Sequence, residues 1–416
     1  KSLLRINEVG RFDIHELVRQ HALEHLRTQF EEEDAILLRH SQYFSALLAE
    51  HSDTLGNDAA TFQQLSHEMA NLQQAWNYAV SHAQFSLIRQ SRQPFFSFYK
   101  LSGLFYEAEA LLRQAIARVY LILDSGENDS PLQWQELVAE LLIDLANVCE
   151  VLGKLDEAES LTAEAFRLGQ QSQNRALLAN AYLRSSANAW ARGDYALHRQ
   201  MLNYSLELAH ATKQSLIEAS ALCGLGNNDA MHDRLEQALN YYELSLAIAR
   251  QNGFRQLENM LVSNAGVLQQ LRGDFIDARS NFLHSLEVSQ ALGDRYGIAL
   301  AYTNLGVLFN VLGLHQSALE QLSQALALFR EIGSQRMEAD LLVNLALTYH
   351  YLGDQVQSID YTNQALSQIE DQHFQHIISP AYLNLGRAFE ALGQVDEARS
   401  AYQRVIESQS LDGPAN

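Results

Sequence analysis

The sequence predicts an all-α solenoid of stacked helix pairs, and three observations support that fold class. Glycine recurs every 40 residues over most of the chain, and a fixed period of this size is typical of a solenoid. The 416 residues include only 4 prolines, which suits long helices because proline interrupts a helix interior. Apolar residues on both sides of each glycine follow helical spacing. The recurring glycines are Gly153, Gly193, Gly273, Gly313, Gly353 and Gly393.

Each repeat is predicted to contain a first helix, a tight turn at the glycine and a second helix. Glycine suits the turn because it readily adopts the left-handed backbone at a helix end. The small residues Gly306 and Ala318 flank the turn at Gly313, where the two helices must approach closely. Asp233 replaces the glycine in one unit, and Gly103 is an earlier copy displaced by an insertion. The turns therefore predict about eight helix pairs.

The residues before about 89 do not follow the repeat. Two short strands are expected around Asn7 to Gly10, followed by a helix over 15–27 and further helices near 33–51 and 61–82. These differences define four predicted segments. They are the end of an N-terminal domain at 1–30, a helical connector at 31–88, the repeat array at 89–409 and a tail at 410–416.

The repeat resembles the tetratricopeptide repeat over residues 89–409, because it has the leucine-glycine pair, the turn and the small residue that follows. The common unit has about 34 residues, whereas the unit here has 40 and resembles the long repeats of kinesin light chain. The resemblance implies a right-handed superhelix whose first helices face a concave groove.

Residues 11–22 resemble the end of the winged-helix domain in bacterial signal-transducing STAND (NB-ARC-type) ATPases. A hydrophobic-His-acidic triplet marks this point in that family, and the triplet here is Ile14, His15 and Glu16. Many members have Met and Asp in place of Ile14 and Glu16. The resemblance implies that His15 contacts the nucleotide phosphates in a parent protein and helps to hold its inactive state.

The nucleotide-binding domain of such a parent is not part of this sequence. No G-x-x-x-x-G-K-[ST] loop occurs in the 416 residues, so we expect no cofactor in this chain and ATP or ADP in the parent. Lys1 falls in what resembles mid-domain sequence, so we expect the chain to be a piece of a longer protein. Its own nucleotide-binding domain would then be an intramolecular partner.

Composition argues against several classes of partner. The net charge is -21, and nucleic-acid binding requires a basic surface, so no direct nucleic-acid partner is expected. No run of 18 apolar residues occurs, so no membrane span is expected. The two cysteines, Cys149 and Cys223, are about two repeats apart and are expected to be buried thiols in a reducing compartment, which favours the cytoplasm.

No catalytic or metal-binding constellation is predicted. His15, Glu16 and His21 superficially resemble a zinc-protease motif, but the histidines are six residues apart and cannot share a helix face as ligands. A G-x-S-x-G nucleophile motif is absent from the sequence. We therefore expect a binding protein rather than an enzyme.

An asparagine series gives the strongest indication of a binding site. The side-chain amide offers a donor and an acceptor, so it can pair with the backbone of an extended peptide. Similar asparagines grip peptides in kinesin light chain. The alternative is that the amides only bridge neighbouring first helices, and the sequence leaves both interpretations open. The series consists of Asn264, Asn304, Asn344 and Asn384.

Other residues are expected to face the same groove, with a charged early half and an amide-rich late half. The early candidates are Asp144, Asn147, Glu150, Asn180, Arg184 and Trp190, and the later ones are Asn227, Asn310, His350, Arg387 and Glu390. The polar segment 226–234, which contains Asn227, is expected to be a degenerate unit, or alternatively a hinge or ligand contact.

The predicted function is ligand sensing without catalysis. We expect the groove to bind a peptide or protein segment and thereby relieve autoinhibition of a bacterial STAND-type parent, either a transcription regulator or a defence effector. Two alternatives remain open. One is a small-molecule sensor that binds a sugar-like ligand, as the repeat domain of the maltose regulator does. The other is a peptide-pheromone receptor.

Overall fold

The computed structural model describes residues 4–6, 12–14, 16–27, 30–52, 54–126, 130–369 and 375–410. The chain divides into two compact units. The first combines residues 1–52 with 65–95, and the second combines residues 53–64 with 96–416. His15, on which the nucleotide prediction depends, lies outside the described residues.

The first unit begins with the expected pair of strands. Strands β1 (Leu4–Ile6) and β2 (Phe12–Ile14) pair in antiparallel fashion, with Leu4 opposite Ile14. Helices α1 (Glu16–Arg27) and α2 (Phe30–Glu50) follow. The strands and the helix after them are confirmed, but these elements alone do not identify a winged helix, so that assignment stays a prediction.

The prediction of one continuous helix over 61–82 was wrong. The structure has α3 (Ala59–His67) and α4 (Met69–Ser81), with Glu68 between them at φ −98° and ψ 3°. The N–H of Glu68 closes a tight turn on the Leu65 carbonyl at 3.0 Å, which ends α3. Its carboxylate accepts a hydrogen bond from the Asn71 amide at 2.7 Å, in the first turn of α4.

Helices α2 and α4 pack together in the first unit. The Ser41 hydroxyl donates to the carbonyl of Ala75 at 2.9 Å, and the Tyr78 hydroxyl donates to the Asp34 carboxylate at 2.8 Å. Burial, and after it the hydrogen bond to Asp34, raises the pKa of Tyr78 to about 12. Polar groups therefore fix the register of an interface that is otherwise apolar.

In the residues that the structure describes, eight consecutive helix pairs follow, as the glycine period predicts, and most of them belong to the second unit. We call the first helix of each pair its A helix and the second its B helix. The A helices are α5 (Phe85–Leu101), α7 (Pro131–Val151), α9 (Arg175–Ala191), α11 (Ser215–Met231), α13 (Arg255–Arg272), α15 (Arg295–Val311), α17 (Gln335–Tyr351) and α19 (Gln375–Ala391). The B helices are α6 (Phe105–Ser125), α8 (Leu155–Gln171), α10 (Tyr195–Ala211), α12 (Leu235–Asn252), α14 (Phe275–Leu292), α16 (His315–Ile332), α18 (Gln355–Ile369) and α20 (Val395–Ser410).

The turns and the close helix approach have the predicted causes. Gly313 has φ +74°, and Asp233 accepts the same left-handed conformation at φ +57°. A Cβ atom added to Gly306 would lie 2.6 Å from the Leu322 side chain, and Ala318 is fully buried beside it. Any larger residue at these two positions would separate the A and B helices.

Within the second unit, the early helices also contact helices far along the chain. The Ser334 hydroxyl, just before α17, donates to the Val151 carbonyl at the end of α7 at 2.7 Å. The rings of Phe105 and Tyr296 meet edge to face at 6.5 Å. These contacts bring the start of α17 to the end of α7 and the start of α15 to the start of α6.

In the part of the chain that the structure describes, no helix combines the length and the hydropathy that membrane crossing requires.

Candidate ligand-binding groove

A cavity of about 320 Å³ lies on the inner surface of the second unit. Its lining comes from six A helices, α7, α9, α11, α13, α15 and α17, and from one B helix, α10. We call it the early-groove cavity. The charged and ring-bearing residues of its lining, together with the amide of Asn227, are Glu150, Arg184, Trp190, His198, Asn227, Tyr296 and Arg336.

Glu150 is the most unusual side chain of the early-groove cavity. Only 10% of its side-chain surface is exposed, and its Oε2 atom lies 3.6 Å from an Arg184 nitrogen. Its Oε1 atom is buried and receives no hydrogen bond from the described residues. Burial raises the pKa of this carboxyl to about 7, although Arg184, Lys100 and Arg336 all act to lower it. The surrounding positive charge therefore only partly compensates for the lost solvation.

Other charged groups surround Glu150. Burial also raises the pKa values of Asp294 and Asp340, against the influence of Lys100 on the first and Arg336 on the second. Lys100 keeps some solvent exposure, but the protein around it lowers its pKa by desolvation. Titratable groups with perturbed pKa values in a recess are characteristic of functional sites.

Aromatic rings form part of the wall. The indole of Trp190 lies 5.0 Å from the imidazole of His198 and 5.1 Å from the ring of Tyr195. His198 is buried, and its two ring nitrogens lie 2.8 Å from the Ser186 carbonyl and 3.3 Å from the Gly224 carbonyl. Burial lowers the pKa of His198, against the two carbonyl contacts, which act to raise it. The imidazole packs beside the indole of Trp190.

Asn304 and Asn384 each reach back to the preceding A helix. The Asn304 amide donates to the Ser263 hydroxyl at 3.0 Å, and the buried Asn384 amide donates to the Val343 carbonyl at 2.9 Å. Each contact joins neighbouring A helices, which is the bridging role that the sequence left open.

The remaining two members of the series differ in their partners. The Asn264 amide donates to the Asn227 side-chain oxygen at 2.9 Å, across to α11. The Asn344 amide donates to the Asp340 carbonyl of its own helix at 3.1 Å. Ligand binding by these asparagines stays a prediction, because an amide has further hydrogen-bonding capacity beyond one such contact.

The structure brings together only some of the other predicted groove residues. Arg184, Trp190 and Asn227 all line the early-groove cavity. The later candidates do not line it. The Asn310 amide donates to the Thr348 hydroxyl at 2.7 Å, and the His350 ring lies 2.8 Å from the Gln355 side chain. Glu390 accepts a hydrogen bond from the Tyr402 hydroxyl at 2.7 Å, and Arg387 lies near that hydroxyl.

The polar segment 226–234 is held by internal contacts. The Asn228 amide donates to the Tyr195 carbonyl at 2.8 Å. The Asp229 carboxylate, with 2% of its side chain exposed, contacts Arg199 at 2.6 Å and Arg234 at 2.7 Å. These partners support the degenerate-unit interpretation, because polar residues here replace apolar packing between successive repeats.

One cluster has the composition of a metal site. Ligand atoms of Glu109, Cys149 and Glu157 lie within 4.8 Å of one another. Lys154 and Arg113 both contact Glu109 at 2.6 Å, so basic side chains already neutralise it. Burial raises the pKa of Cys149 to about 12, which disfavours the thiolate that a metal needs. The cluster therefore acts as an ion-pair network.

Sequence reasoning missed Lys100, Tyr296 and Arg336. Tyr296 and Arg336 are 40 residues apart and occupy the same position in the first turn of α15 and α17. Alignment of the repeats on the glycine period shows that the two residues are equivalent. It does not show that they lie beside α7 and α9 in the folded chain. Lys100 lies on α5 three residues before Gly103, the position that Glu150 and Trp190 hold before their own turn glycines, but Gly103 is displaced from the 40-residue period and the match was missed.

A tetratricopeptide repeat family model matches residues 256–331 and 337–410. The search of curated proteins found no match. Among solved structures, a Rap protein complexed with Competence and Sporulation Factor is 16% identical, with a TM-score of 0.55; the similarity covers 76% of this chain and 96% of that one. At this identity the likeness shows the fold alone.

A second solved structure is a STAND protein with a tetratricopeptide repeat sensor from Pyrococcus horikoshii. It is 14% identical, with a TM-score of 0.48, and the similarity covers 99% of this chain. The chain spans 58% of the length of that protein. This TM-score is too low to carry an argument about fold or function. Residues 256–331 and 337–410 therefore carry tetratricopeptide repeats, a protein-interaction scaffold, and the described helix pairs form an all-helical repeat array consistent with a tetratricopeptide superhelix.

Proposed function

We propose that this chain is a non-catalytic sensing module that binds a peptide or protein segment along its concave groove. The observation that carries the proposal is the early-groove cavity, which draws its lining from six A helices. A surface shared by many repeats can contact an extended ligand at several points, and solenoids use such concave surfaces for binding.

The amide-rich late half supplies the second part of the proposed groove. Asparagine carries two N–H donors and one acceptor oxygen. Asn304 uses one amide donor in its hydrogen bond to Ser263, and Asn344 uses one in its hydrogen bond to the Asp340 carbonyl. In the described part of the chain, the oxygens of these two amides therefore remain able to accept a hydrogen bond from a peptide N–H. An extended peptide advances about 3.3 Å per residue, so roughly one asparagine per three peptide residues would make contact.

The proposed output is relief of autoinhibition in a longer STAND-type protein. The resemblance of residues 11–22 to the end of a winged-helix domain supports this step, with His15 contacting ATP or ADP held by the parent's nucleotide-binding domain. The parent is proposed to be a cytoplasmic protein. Ligand binding can release the inactive state only if the ligand has different affinities for the two states.

A small-molecule sensor is the second candidate, and the size of the cavity favours it. About 320 Å³ lies at the lower end of the range for small-molecule pockets. A cavity of this size holds one or two side chains of a peptide, or one compact polar ligand. Selection from a peptide library distinguishes these two ligand classes.

The test is selection of binders from a random twelve-residue peptide library displayed on phage, with the immobilised chain as bait. Selected peptides are then synthesised, and their affinities are measured by calorimetry. We expect the double substitution Asn304→Ala and Asn344→Ala to weaken binding about tenfold or more, because each lost hydrogen bond contributes about 1 kcal/mol. Asn363→Ala is the matched control, since Asn363 is exposed on α18.

Two results would contradict the proposal. Failure to enrich any peptide would remove the peptide-binding function and leave the small-molecule alternative. Enriched peptides whose affinity is unchanged by the double substitution would exclude the late-half amides from the site.

A further inference from the structure

Two buried acceptor atoms on α7 receive no hydrogen bond from the described residues. They are Oε1 of Glu150 and Oδ1 of Asn147. The residues are three apart, so their side chains emerge from the same face of the helix. A buried polar atom without a partner costs about 1–3 kcal/mol, so a ligand that supplies the missing hydrogen bond is stabilised there. Both atoms are acceptors, so the missing partner is a donor.

Arg184 lies 3.6 Å from the Glu150 carboxylate, but acidic side chains outnumber basic ones in the surrounding cluster. The described groups that interact with it or with its neighbours comprise three basic side chains, Lys100, Arg184 and Arg336, and four acidic ones, Asp144, Glu150, Asp294 and Asp340. Arg336 also interacts with the Tyr296 hydroxyl. When all of these groups are ionised, the cluster carries one excess negative charge. A single bound cation would neutralise it.

The walls of the cavity suit an organic cation. Trp190 and Tyr296 both line the same cavity as Glu150. The faces of aromatic rings attract ammonium and guanidinium groups, most strongly in a desolvated recess. Rotation about the last side-chain torsion of Glu150 costs little, so either carboxylate oxygen can turn toward a ligand.

We propose that the early-groove cavity binds one cationic group of the ligand, an ammonium or a guanidinium, with Glu150 as the acceptor and Trp190 and Tyr296 as the flanking rings. This inference rests on the proposed function, because it names the chemistry that the concave groove recognises. The cation can be a Lys or Arg side chain or the amino terminus of a peptide, since the donor chemistry is shared. The chain's net charge of -21 would draw basic ligands toward the groove.

The test uses the peptides selected from the random library. The affinity of one enriched peptide is measured by calorimetry in three forms: the peptide itself, its amino-terminally acetylated form, and a form with its shared basic residue replaced by citrulline or norleucine. Each form is titrated into the wild-type chain, the Glu150→Gln variant and the Glu243→Gln variant. Glu243 is exposed on α12 and serves as the matched control.

We expect Glu150→Gln to weaken binding of the basic peptide about tenfold or more, because a charge-assisted hydrogen bond is lost. The neutral form should bind both proteins alike, and Glu243→Gln should change nothing. Loss of affinity on replacement of the basic residue assigns the side chain as the cation, and loss on acetylation assigns the amino terminus.

The pH dependence gives a readout that a purely structural role of Glu150 would not produce. A cation binds the ionised carboxylate, so affinity for the basic peptide should rise between pH 6 and 8 and release a proton, and Glu150→Gln should abolish this rise. The charged groups that act on Glu150 are Lys100 on α5, Arg184 on α9 and Arg336 on α17. Asp144 and Asp294 act in turn on Lys100, Asp340 interacts with Arg336, and His198 and Tyr296 line the same cavity as Glu150.

The inference and the proposed function fail in different ways. Enriched peptides that share no basic group, or that bind Glu150→Gln as tightly as wild type, overturn the cation site but leave groove binding intact. A library that yields no binder overturns the proposed function and this inference together.

Discussion

The early and late halves of the groove differ in the residues that they place on their A helices. In the early half the A-helix position of the asparagine series holds Asp144, Arg184 and Gly224, and in the late half it holds asparagine in every repeat. The late amides have partners inside the chain, such as Val343 for Asn384. In the early half, on α7, Oε1 of Glu150 and Oδ1 of Asn147 are left without donors among the described residues, although Oε2 of Glu150 lies 3.6 Å from Arg184.

This difference separates a stabilising pattern from a candidate recognition site. A residue that recurs in every repeat meets the same neighbour each time, so a regular contact between A helices accounts for much of its recurrence. A departure from the repeat pattern has no such explanation, and violations of local regularity are expected to concentrate at functional sites. The charged early half is therefore the stronger candidate for ligand selectivity, and the amide-rich late half contributes generic contacts to the backbone.

The largest expected effect concerns the pH dependence of stability at Glu150. The carboxyl has a pKa of about 7 in the folded chain and an ordinary value near 4.3 when unfolded. Between these values the folded state binds the extra proton, so stability is highest at low pH and falls as the pH rises through 7. Relative to Glu150→Gln, the wild type should lose roughly 2–3 kcal/mol between pH 5 and 8.

Urea titrations of both proteins at several pH values measure this difference. Other acidic groups cancel in the comparison, because both proteins contain them. A wild type that gains stability relative to Glu150→Gln over this range would show that the carboxylate is already well compensated in the empty groove.

The next largest expected effect is a loss of stability when a bridge between late A helices is removed. Asn384→Ala should destabilise the last repeats by about 1–3 kcal/mol, because the buried Val343 carbonyl loses its donor. Asn363→Ala, on the exposed surface of α18, should change stability by no more than about 0.5 kcal/mol. Hydrogen exchange of α17 to α20 is the measurement, since repeat arrays open locally. Equal protection in the two variants would contradict the bridging role.

The smallest effect concerns the long-range contact that completes the early groove. Ser334→Ala removes the hydroxyl that donates to the Val151 carbonyl at 2.7 Å. We expect a loss of about 1 kcal/mol, and the faster hydrogen exchange should appear at the end of α7 and the start of α17. Ser323→Ala is the control, because Ser323 is exposed and bonds only within α16. Faster exchange confined to α17 would show that the contact does not couple the two helices.

Much of the fold could be predicted from the sequence because each repeat is a local structure. The glycine period gave the eight helix pairs, and small residues such as Gly306 and Ala318 marked the interface within a pair. The break at Glu68 was missed, since no proline or glycine marks it. At Asp233 an acidic residue adopts the left-handed turn, so the period continues without its glycine.

The candidate site was only partly predictable. Arg184, Trp190 and Asn227 were identified because they lie on the inner face of A helices. Tyr296 and Arg336 reach the same cavity from α15 and α17, two and three repeats beyond α11. That proximity depends on how the superhelix advances along its axis, which is the sum of many small packing angles and has no local sequence pattern.

The most direct test of the central claim is hydrogen exchange of the chain with and without a selected basic peptide. We predict new protection in α7, α9 and α11 and in the first turns of α15 and α17, with weaker protection along α13 and α19. Protection confined to the outer B helices, or the same protection in Glu150→Gln at matched peptide concentration, would contradict a cation-selective site in the early half of the groove.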